Sequence, residues 1–82
     1  MKIKVLGTGC AKCHKLYEEA VRAVAETGVE AEVEKVEKIE EIMAHGVAFV
    51  PALVIDDEVK SSGKSLRAAD IAALIRAAHR GE

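Results

Sequence analysis

Aromatic residues are almost absent from this sequence. It has no tryptophan, and Tyr17 and Phe49 are the only aromatic side chains besides histidine in 82 residues. Half of the residues are nevertheless apolar, which is enough for a modest core in a chain near the small end for independent folding. We therefore expect residues 1–82 to form one domain whose core consists of valine, isoleucine, leucine and alanine.

Long apolar runs and an excess of one charge are also missing. No apolar stretch approaches the ~20 residues that cross a membrane, and residues 1–7 lack the apolar core of a signal peptide. Twelve basic against fourteen acidic residues leave a net charge of -2, which favours neither nucleic acid nor an anionic membrane as a partner. These absences predict a cytoplasmic protein that works without nucleic acid or a membrane.

Cysteine is scarce too, but its two copies lie close together. They form the motif Cys10-x-x-Cys13 in the stretch "GTGCAKCHK". In a reducing compartment such a pair is more often catalytic or metal-binding than a structural disulfide. His14 follows directly, and Cys-x-x-Cys-His also matches the attachment motif of c-type haem. These letters alone leave open a redox dithiol, a metal site and a haem site.

The spacing of apolar residues predicts seven elements in the order β-α-β-α-β-β-α. Strands are predicted at 2–6, 29–36, 52–55 and 58–61, and helices at 11–27, 37–46 and 66–79. A strand–helix–strand start indicates a parallel pair, and the later hairpin adds an antiparallel one. We therefore expect an α/β fold with a mixed four-stranded sheet flanked by helices.

Single residues refine these predictions. Gly28 lies where a helix-ending glycine is expected, and a tight turn at Asp56-Asp57 joins the last two strands. Ser65 can cap the last helix. In the second helix Met43 shares a face with two isoleucines and is expected to fill the core.

The predicted start of the first helix suggests what the cysteines can do. Cys10 falls at the helix N-terminus, where unpaired N–H groups and the helix dipole favour an anion such as a thiolate. Lys12 adds a nearby positive charge, and His14 could adjust the charge of the pair near neutral pH. Cys13 lies one turn further on, toward the fold. This asymmetry predicts Cys10 as the attacking thiolate and Cys13 as the thiol that releases the mixed disulfide.

This arrangement resembles the thioredoxin/glutaredoxin superfamily, and most closely its short "redox-active disulfide" proteins of bacteria and archaea. The resemblance spans essentially the whole chain and rests on the order of elements, on Cys10-Ala-Lys-Cys13 and on Val50-Pro51 before the hairpin. It implies a thioredoxin-like fold and a thiol–disulfide oxidoreductase. Such an enzyme carries its electrons in the Cys10–Cys13 disulfide and needs no bound cofactor or metal.

The resemblance also implies how substrates dock. The peptide bond before Pro51 is expected to be cis and to pack against the dithiol, while the backbone of Val50 receives the substrate as an added strand. The implied partners are a disulfide-bearing protein and an upstream dithiol reductase, with the protein itself acting as a monomer. Glutathione is not expected as a partner, because no clear basic and hydrogen-bonding set for its carboxylates is found.

Two features depart from thioredoxin itself. Thioredoxins carry a tryptophan before the first cysteine and Gly-Pro between the two, where this chain has Gly9 and Ala11-Lys12. They also place a buried acid in the preceding strand, at the position that Lys4 occupies here. The proton relay and the potential of thioredoxin should therefore not be transferred to this chain.

A soft-metal module is the main alternative function. Heavy-metal-associated domains also place Cys-x-x-Cys in a glycine-flanked loop after a first strand, and two thiolates suit Cu(I) or Zn(II). Those domains follow the first helix with a hairpin, whereas a second helix is predicted here. A closed zinc site would need ligands beyond His14, and His45 and His79 are far along the chain.

Haem would need an exported chain and a distal ligand, for which Met43 and Met1 are the only thioethers.

Overall fold

A computed structural model describes residues 1–80, which form seven elements in the predicted order. Residues 81–82, which the predicted domain also includes, lie outside the described residues. No helix within residues 1–80 is long and apolar enough to cross a membrane. The strands are β1 (Lys2–Leu6), β2 (Glu32–Val36), β3 (Ala52–Ile55) and β4 (Glu58–Ser62), and the helices are α1 (Ala11–Thr27), α2 (Ile39–Ala44) and α3 (Ala68–His79).

The four strands form one mixed sheet in the order β2-β1-β3-β4. β1 is parallel to β2 and antiparallel to β3, which in turn is antiparallel to β4. The tight turn between β3 and β4 is confirmed, since Asp56 and Asp57 both have positive φ, at 48° and 68°, as a two-residue type I′ hairpin requires. The predicted α/β fold with a mixed four-stranded sheet flanked by helices is confirmed.

Two hydrophobic clusters lie on the two faces of the sheet. On β3, Leu53 and Ile55 belong to the larger cluster, between the sheet and helices α1 and α3. Ala52 and Val54 alternate with them and belong to the smaller cluster on the α2 side, as the two-residue period of a strand requires. The buried members of the larger cluster are all aliphatic, as the composition predicts: Ile3, Val5, Leu16, Ala20, Ala23, Leu53, Ile55, Ala68, Ile71, Ala72 and Ile75.

Helix α2 is shorter than predicted and buries a single residue, Ile42. Ile39 is 60% exposed and Met43 is 69% exposed. A helix of fewer than two turns meets the sheet along one line only. Because Met43 is rotated about 100° from its neighbour Ile42 around the helix axis, it points away from the sheet. The prediction that Met43 fills the core is therefore wrong.

Helix α3 begins later than predicted. Its N-cap is Arg67 and not Ser65, which is exposed and lies outside the helix. The backbone N–H of Arg67 donates to the carboxylate of Asp70 at 3.2 Å, so the residue at the third helical position supplies the cap in the manner of a capping box. Leu66 lies outside the helix but still packs against the larger cluster.

A buried carboxylate joins α1 to the start of α3. Glu19 on α1 is only 6% exposed, and its Oε1 accepts a 2.9 Å hydrogen bond from the backbone N–H of Ala68. Its Oε2 lies 3.3 Å from the guanidinium of Arg22 and 3.7 Å from the ammonium of Lys15. The Ala68 hydrogen bond, and then the two cations, hold the pKa of Glu19 below its usual value, although burial acts in the opposite direction.

We expect Glu19→Gln to lower the stability of the fold at neutral pH, because the amide keeps the shape of the side chain but loses its charge. A carboxyl whose pKa is lowered by folding stabilises the protein fully above its unfolded-state pKa. That contribution disappears as the pH falls through the folded-state pKa. Urea unfolding at a series of pH values should therefore show the gap between wild type and Glu19→Gln closing in acid.

The exposed Glu26 at the end of α1 offers a matched control for this substitution. Glu26→Gln should unfold like the wild type throughout the series. A gap between Glu19→Gln and wild type that stays constant down to the acid end would contradict the assigned role of the Glu19 charge.

Candidate active site

Cys10 is the N-cap residue of α1. Its backbone is extended, with φ -72° and ψ 163°, and its Sγ accepts a hydrogen bond of 3.2 Å from the backbone N–H of Cys13. An N-cap side chain lies among the unpaired N–H groups at the positive end of the helix dipole. No acidic residue occurs in the first turn of α1. The sulfur of Cys10, whose residue is exposed, therefore lies where a thiolate would be stabilised.

Cys13 is buried beneath the loop that precedes the helix. The two cysteines form a disulfide with a Cα–Cα distance of 5.1 Å, and Cys13 is only 5% exposed. Gly7 covers it so closely that a Cβ added at Gly7 would lie 2.8 Å from the Cβ of Cys13. The backbone N–H of Gly7 is in turn fixed by the carbonyl of Val36, at 3.0 Å. Glycine at position 7 is thus required for Cys13 to occupy this site.

The segment before β3 lies exposed around a buried proline. The peptide bond between Val50 and Pro51 is cis. Pro51 is buried, whereas Val50 is 40% exposed and Phe49 is 69% exposed. Two hydrogen bonds hold the segment against the end of β4: Ser62 Oγ donates to the carbonyl of Phe49 at 2.9 Å, and Gly63 N–H donates to the carbonyl of Pro51 at 2.8 Å.

The register of the sheet brings the cysteine loop and the proline segment to the same edge. Leu6, the last residue of β1, is paired with Ala52, the first residue of β3. Gly7, which follows Leu6, and Pro51, which precedes Ala52, therefore lie at the same edge of the sheet. The cysteine loop and the Val50-Pro51 segment thus leave the sheet at the same edge.

Lys12 and His14 occupy the exposed side of the first turn of α1. Lys12 lies between the two cysteines in the chain. The Nε2 of His14 is 3.6 Å from a carboxylate oxygen of Glu18, one turn further along the helix. Both residues that were predicted to adjust the charge of the pair are therefore near the disulfide. His14 also lines a cleft together with Cys13.

A cleft of about 180 Å³ opens beside Cys13, between the first turn of α1 and the end of β2. Lys35, near the end of β2, extends its ammonium over the ring of Tyr17, 4.7 Å from the ring centroid. A carboxylate oxygen of Glu37 lies 3.4 Å from the position that a Cβ on Gly9 would occupy. The cleft is lined by Val5, Gly7, Gly9, Cys13, His14, Lys35 and Glu37.

Known proteins are similar to this chain in sequence. Residues 1–76 match the family described as a thioredoxin domain. The chain belongs to the thioredoxin family. It is 42% identical over 64 residues to a protein named thioredoxin from Methanothermobacter thermautotrophicus, a match that covers 78% of this chain and 83% of that protein. A protein of the same name from Methanocaldococcus jannaschii is 42% identical over 62 residues, which cover 76% of this chain and 71% of the relative.

Membership of the thioredoxin family decides among the chemistries that the motif leaves open. The chain is a thioredoxin-like protein-disulfide oxidoreductase with a redox-active Cys-x-x-Cys pair, and proteins of this family carry electrons in the disulfide itself. The family accounts for the letters Cys-x-x-Cys-His without a haem. Within residues 1–80, no three His, Cys, Asp or Glu side chains are grouped as ligands for a metal ion, and the soft-metal alternative gains no support.

This thioredoxin-family protein has no acid at the position where thioredoxins bury one. Lys4 occupies it, and its ammonium lies 4.0 Å from a carboxylate oxygen of Asp57 in the β-hairpin turn. Lys4 also lines a second cleft on the α2 side of the sheet, whereas Cys13 lines the cleft beside α1. Lys4 and Cys13 therefore lie at different clefts, and Lys4 does not take the place of the thioredoxin acid beside Cys13.

Three residues of this thioredoxin-like site carry no motif in the sequence: Gly7, Lys35 and Glu37. They come from the ends of β1 and β2, which are parallel neighbours. The carboxyl ends of parallel strands meet at one edge of a sheet, where α/β proteins commonly place their sites. That rule, applied to the predicted strands, is the signal that could have pointed to these residues.

Proposed function

We propose that this protein reduces or forms disulfides in other molecules by a two-step exchange. The Cys10 thiolate attacks a substrate disulfide, so that one substrate thiolate leaves and a mixed disulfide forms. Cys13 then attacks the Sγ of Cys10, which releases the second substrate thiolate and closes the Cys10–Cys13 disulfide. The substrate gains two electrons and the protein loses two. The reverse sequence forms a disulfide in the substrate.

The difference in accessibility between the two cysteines is the observation that carries this proposal. Cys10 is exposed at the N-terminus of α1, whereas Cys13 is 5% exposed beneath Gly7. An incoming substrate can reach only the first sulfur, and the second becomes reactive once it is adjacent to a mixed disulfide. Thiol–disulfide exchange depends on which sulfur is accessible as well as on thiolate character. Lys12, between the two cysteines, adds positive charge that favours the thiolate forms.

Val50 and Pro51 are proposed to dock the substrate. The segment is held in place because the carbonyls of Phe49 and Pro51 accept hydrogen bonds from Ser62 and Gly63. Val50 is 40% exposed between these anchors. An extended peptide could therefore pair with its backbone as an added strand, the mode in which main-chain hydrogen bonds supply affinity.

The proposed partners follow from this chemistry. The substrate is a protein with an accessible disulfide, and an upstream dithiol reductase returns the Cys10–Cys13 pair to its reduced form. No cofactor is proposed beyond the disulfide, and the protein is proposed to act as a monomer. The proposed compartment is the cytoplasm, where protein thiols are kept reduced.

A redox titration with a mass readout tests the function. The metal-free protein is equilibrated in buffers of graded reduced and oxidised dithiol, free thiols are alkylated, and the intact mass is recorded. Both labels should disappear together in one two-electron transition, with a midpoint between about -270 and -120 mV, the range of redox catalysts. Two thiols that stay reduced throughout, or that oxidise only into intermolecular dimers, would refute the function.

Substitution of Val50 tests the docking surface. Val50→Ser removes apolar contact without adding charge, and we expect it to raise the KM for a disulfide-bearing protein about tenfold, equivalent to ~1.4 kcal/mol of binding. The rate with a small disulfide should stay unchanged. Val59 on β4 is similarly exposed, at 37%, but lies toward the opposite end of its strand from Ser62, so Val59→Ser is the matched control. Equal KM values for the two variants would exclude the side chain of Val50 from docking.

A further inference from the structure

Cys13 must lose a proton before it can attack the mixed disulfide, since the thiolate is the nucleophile. It is nearly inaccessible, at 5% exposure, and Gly7 closes it off from above. It lines the cleft of about 180 Å³ beside α1. A cleft of this size accommodates several water molecules, since a site for one water needs only ~10–15 Å³. The cleft is therefore a route by which the proton can leave.

The side chains around the cleft differ in what they can accept. β1 and the loop after it contribute Val5, Gly7 and Gly9, whose side chains have no titratable group. Lys35 on β2 and Glu37 just after that strand contribute one cation and one anion. From α1 comes His14, whose Nε2 lies 3.6 Å from the carboxylate of Glu18.

Of these groups, an imidazole is the best suited to take the proton. The ammonium of Lys35 has no acceptor site and is held over the ring of Tyr17. A carboxylate such as that of Glu37 is ordinarily a much weaker base than a thiolate or an imidazole. Imidazole ordinarily changes charge between pH 5 and 8, and catalysis by a general base is most effective when its pKa lies near the working pH.

We propose that His14 is the proton acceptor for Cys13, through water in the cleft that both residues line. The proposal rests on the proposed function. As the Cys13 sulfur bonds to Cys10 Sγ, its proton passes to the ring of His14 and the bond from Cys10 to the substrate sulfur breaks. The substrate leaves as a thiolate and takes up a proton from solvent or from the imidazolium. Glu18 stabilises the imidazolium in the meantime, and Lys35 stabilises the negative charge that develops on Cys13.

Stopped-flow kinetics of the reduced protein with an aromatic disulfide separate the two steps, because each releases one coloured aromatic thiolate. The first phase reports attack by Cys10, and the second reports attack by Cys13. In His14→Gln we expect the ratio of the second rate to the first to fall about tenfold to a hundredfold at neutral pH, at or below the low end of general-base catalysis.

Two further variants make the test specific. His79→Gln, an exposed substitution at the end of α3, should keep the wild-type ratio. Free imidazole should restore the second phase in His14→Ala, which a merely structural role would not allow. An unchanged ratio in His14→Gln, or a loss confined to Glu37→Gln, would overturn the role of His14 while leaving the proposed function intact. Absence of the first phase from the wild type would overturn the proposed function itself.

Discussion

Cys10→Ser is expected to abolish disulfide reduction. The remaining thiol, Cys13, is 5% exposed and cannot reach a protein disulfide, so no mixed disulfide can form. The expected rate with a disulfide-bearing protein and a small dithiol as electron donor is that of the donor alone. Serine is itself a favoured N-cap residue, so the helix that Cys10 caps should remain formed. The loss would therefore be a loss of the nucleophile.

The matched variant Cys13→Ser separates attack from release. It keeps the exposed thiol at the N-cap and should attack the substrate, but it should stall as a mixed disulfide that is visible in the intact mass. Because both variants lack the disulfide, their stabilities should be compared with that of the reduced wild type. Turnover by Cys10→Ser, or trapping of substrate by Cys10→Ser instead of Cys13→Ser, would reverse the roles of the two cysteines.

The helices and strands were predictable where the spacing of apolar residues was regular and a residue such as glycine marked the end of the element. β1, α1 and β3 have their predicted bounds. The end of α1 is fixed by Gly28, which has φ 69° and donates its N–H to the carbonyl of Val24 at 3.1 Å. The hairpin was predictable from Asp56-Asp57 because those residue types tolerate positive φ. Local chemistry was sufficient for these elements.

The start of α3 was not predictable from local chemistry, since two carboxylates compete there with Ser65. Asp70 caps the backbone of Arg67 from within the helix, and Glu19 binds Ala68 from α1. The second of these contacts joins residues 49 positions apart in the chain. A rule that considers only neighbouring residues selects Ser65, and the tertiary contact selects a later start.

The site was predictable in the same uneven way. The position of Cys10 at a helix N-terminus followed from the strand and helix patterns, and the position of Pro51 followed from the family resemblance. Lys35 and Glu37 line the cleft beside Cys13 only because β2 lies beside β1 in parallel register. Their contribution depends on pairing between distant strands, which a single sequence indicates only through the predicted topology.

Gly7→Ala is expected to lower the free energy of unfolding by about 1–3 kcal/mol, the usual cost of overpacking a core. The new Cβ would meet the Cβ of Cys13 at 2.8 Å, closer than two carbon atoms can approach. The loop cannot move away freely, because Gly7 N–H is bonded to the carbonyl of Val36 at 3.0 Å. Cys13 must then move with the first turn of α1, and the second phase of the exchange reaction should slow.

Gly46→Ala provides the control for adding a methyl group. Its Cβ would meet nothing within 4 Å, but the residue has φ +76°, so it carries only the backbone cost of about 1–2 kcal/mol. Both glycine variants should therefore be less stable in urea, whereas only Gly7→Ala should change the release step. Equal exchange kinetics in the two variants would show that the contact with Cys13 is relieved without cost.

A double-mutant cycle isolates the contact itself. The new methyl group would meet the Sγ of Cys13 even more closely than its Cβ. Cys13→Ala removes that Sγ, so Gly7→Ala should be less damaging in that background than in the reduced wild type. Residues in direct contact commonly show coupling energies of about 0.5–3 kcal/mol, and a coupling in this range is expected here. Additive effects would mean that Gly7→Ala acts through the loop backbone alone. A coupling in this range would establish that position 7 must be glycine to leave space for Cys13. A residue of the loop after β1 would then control the step in which Cys13 releases the substrate.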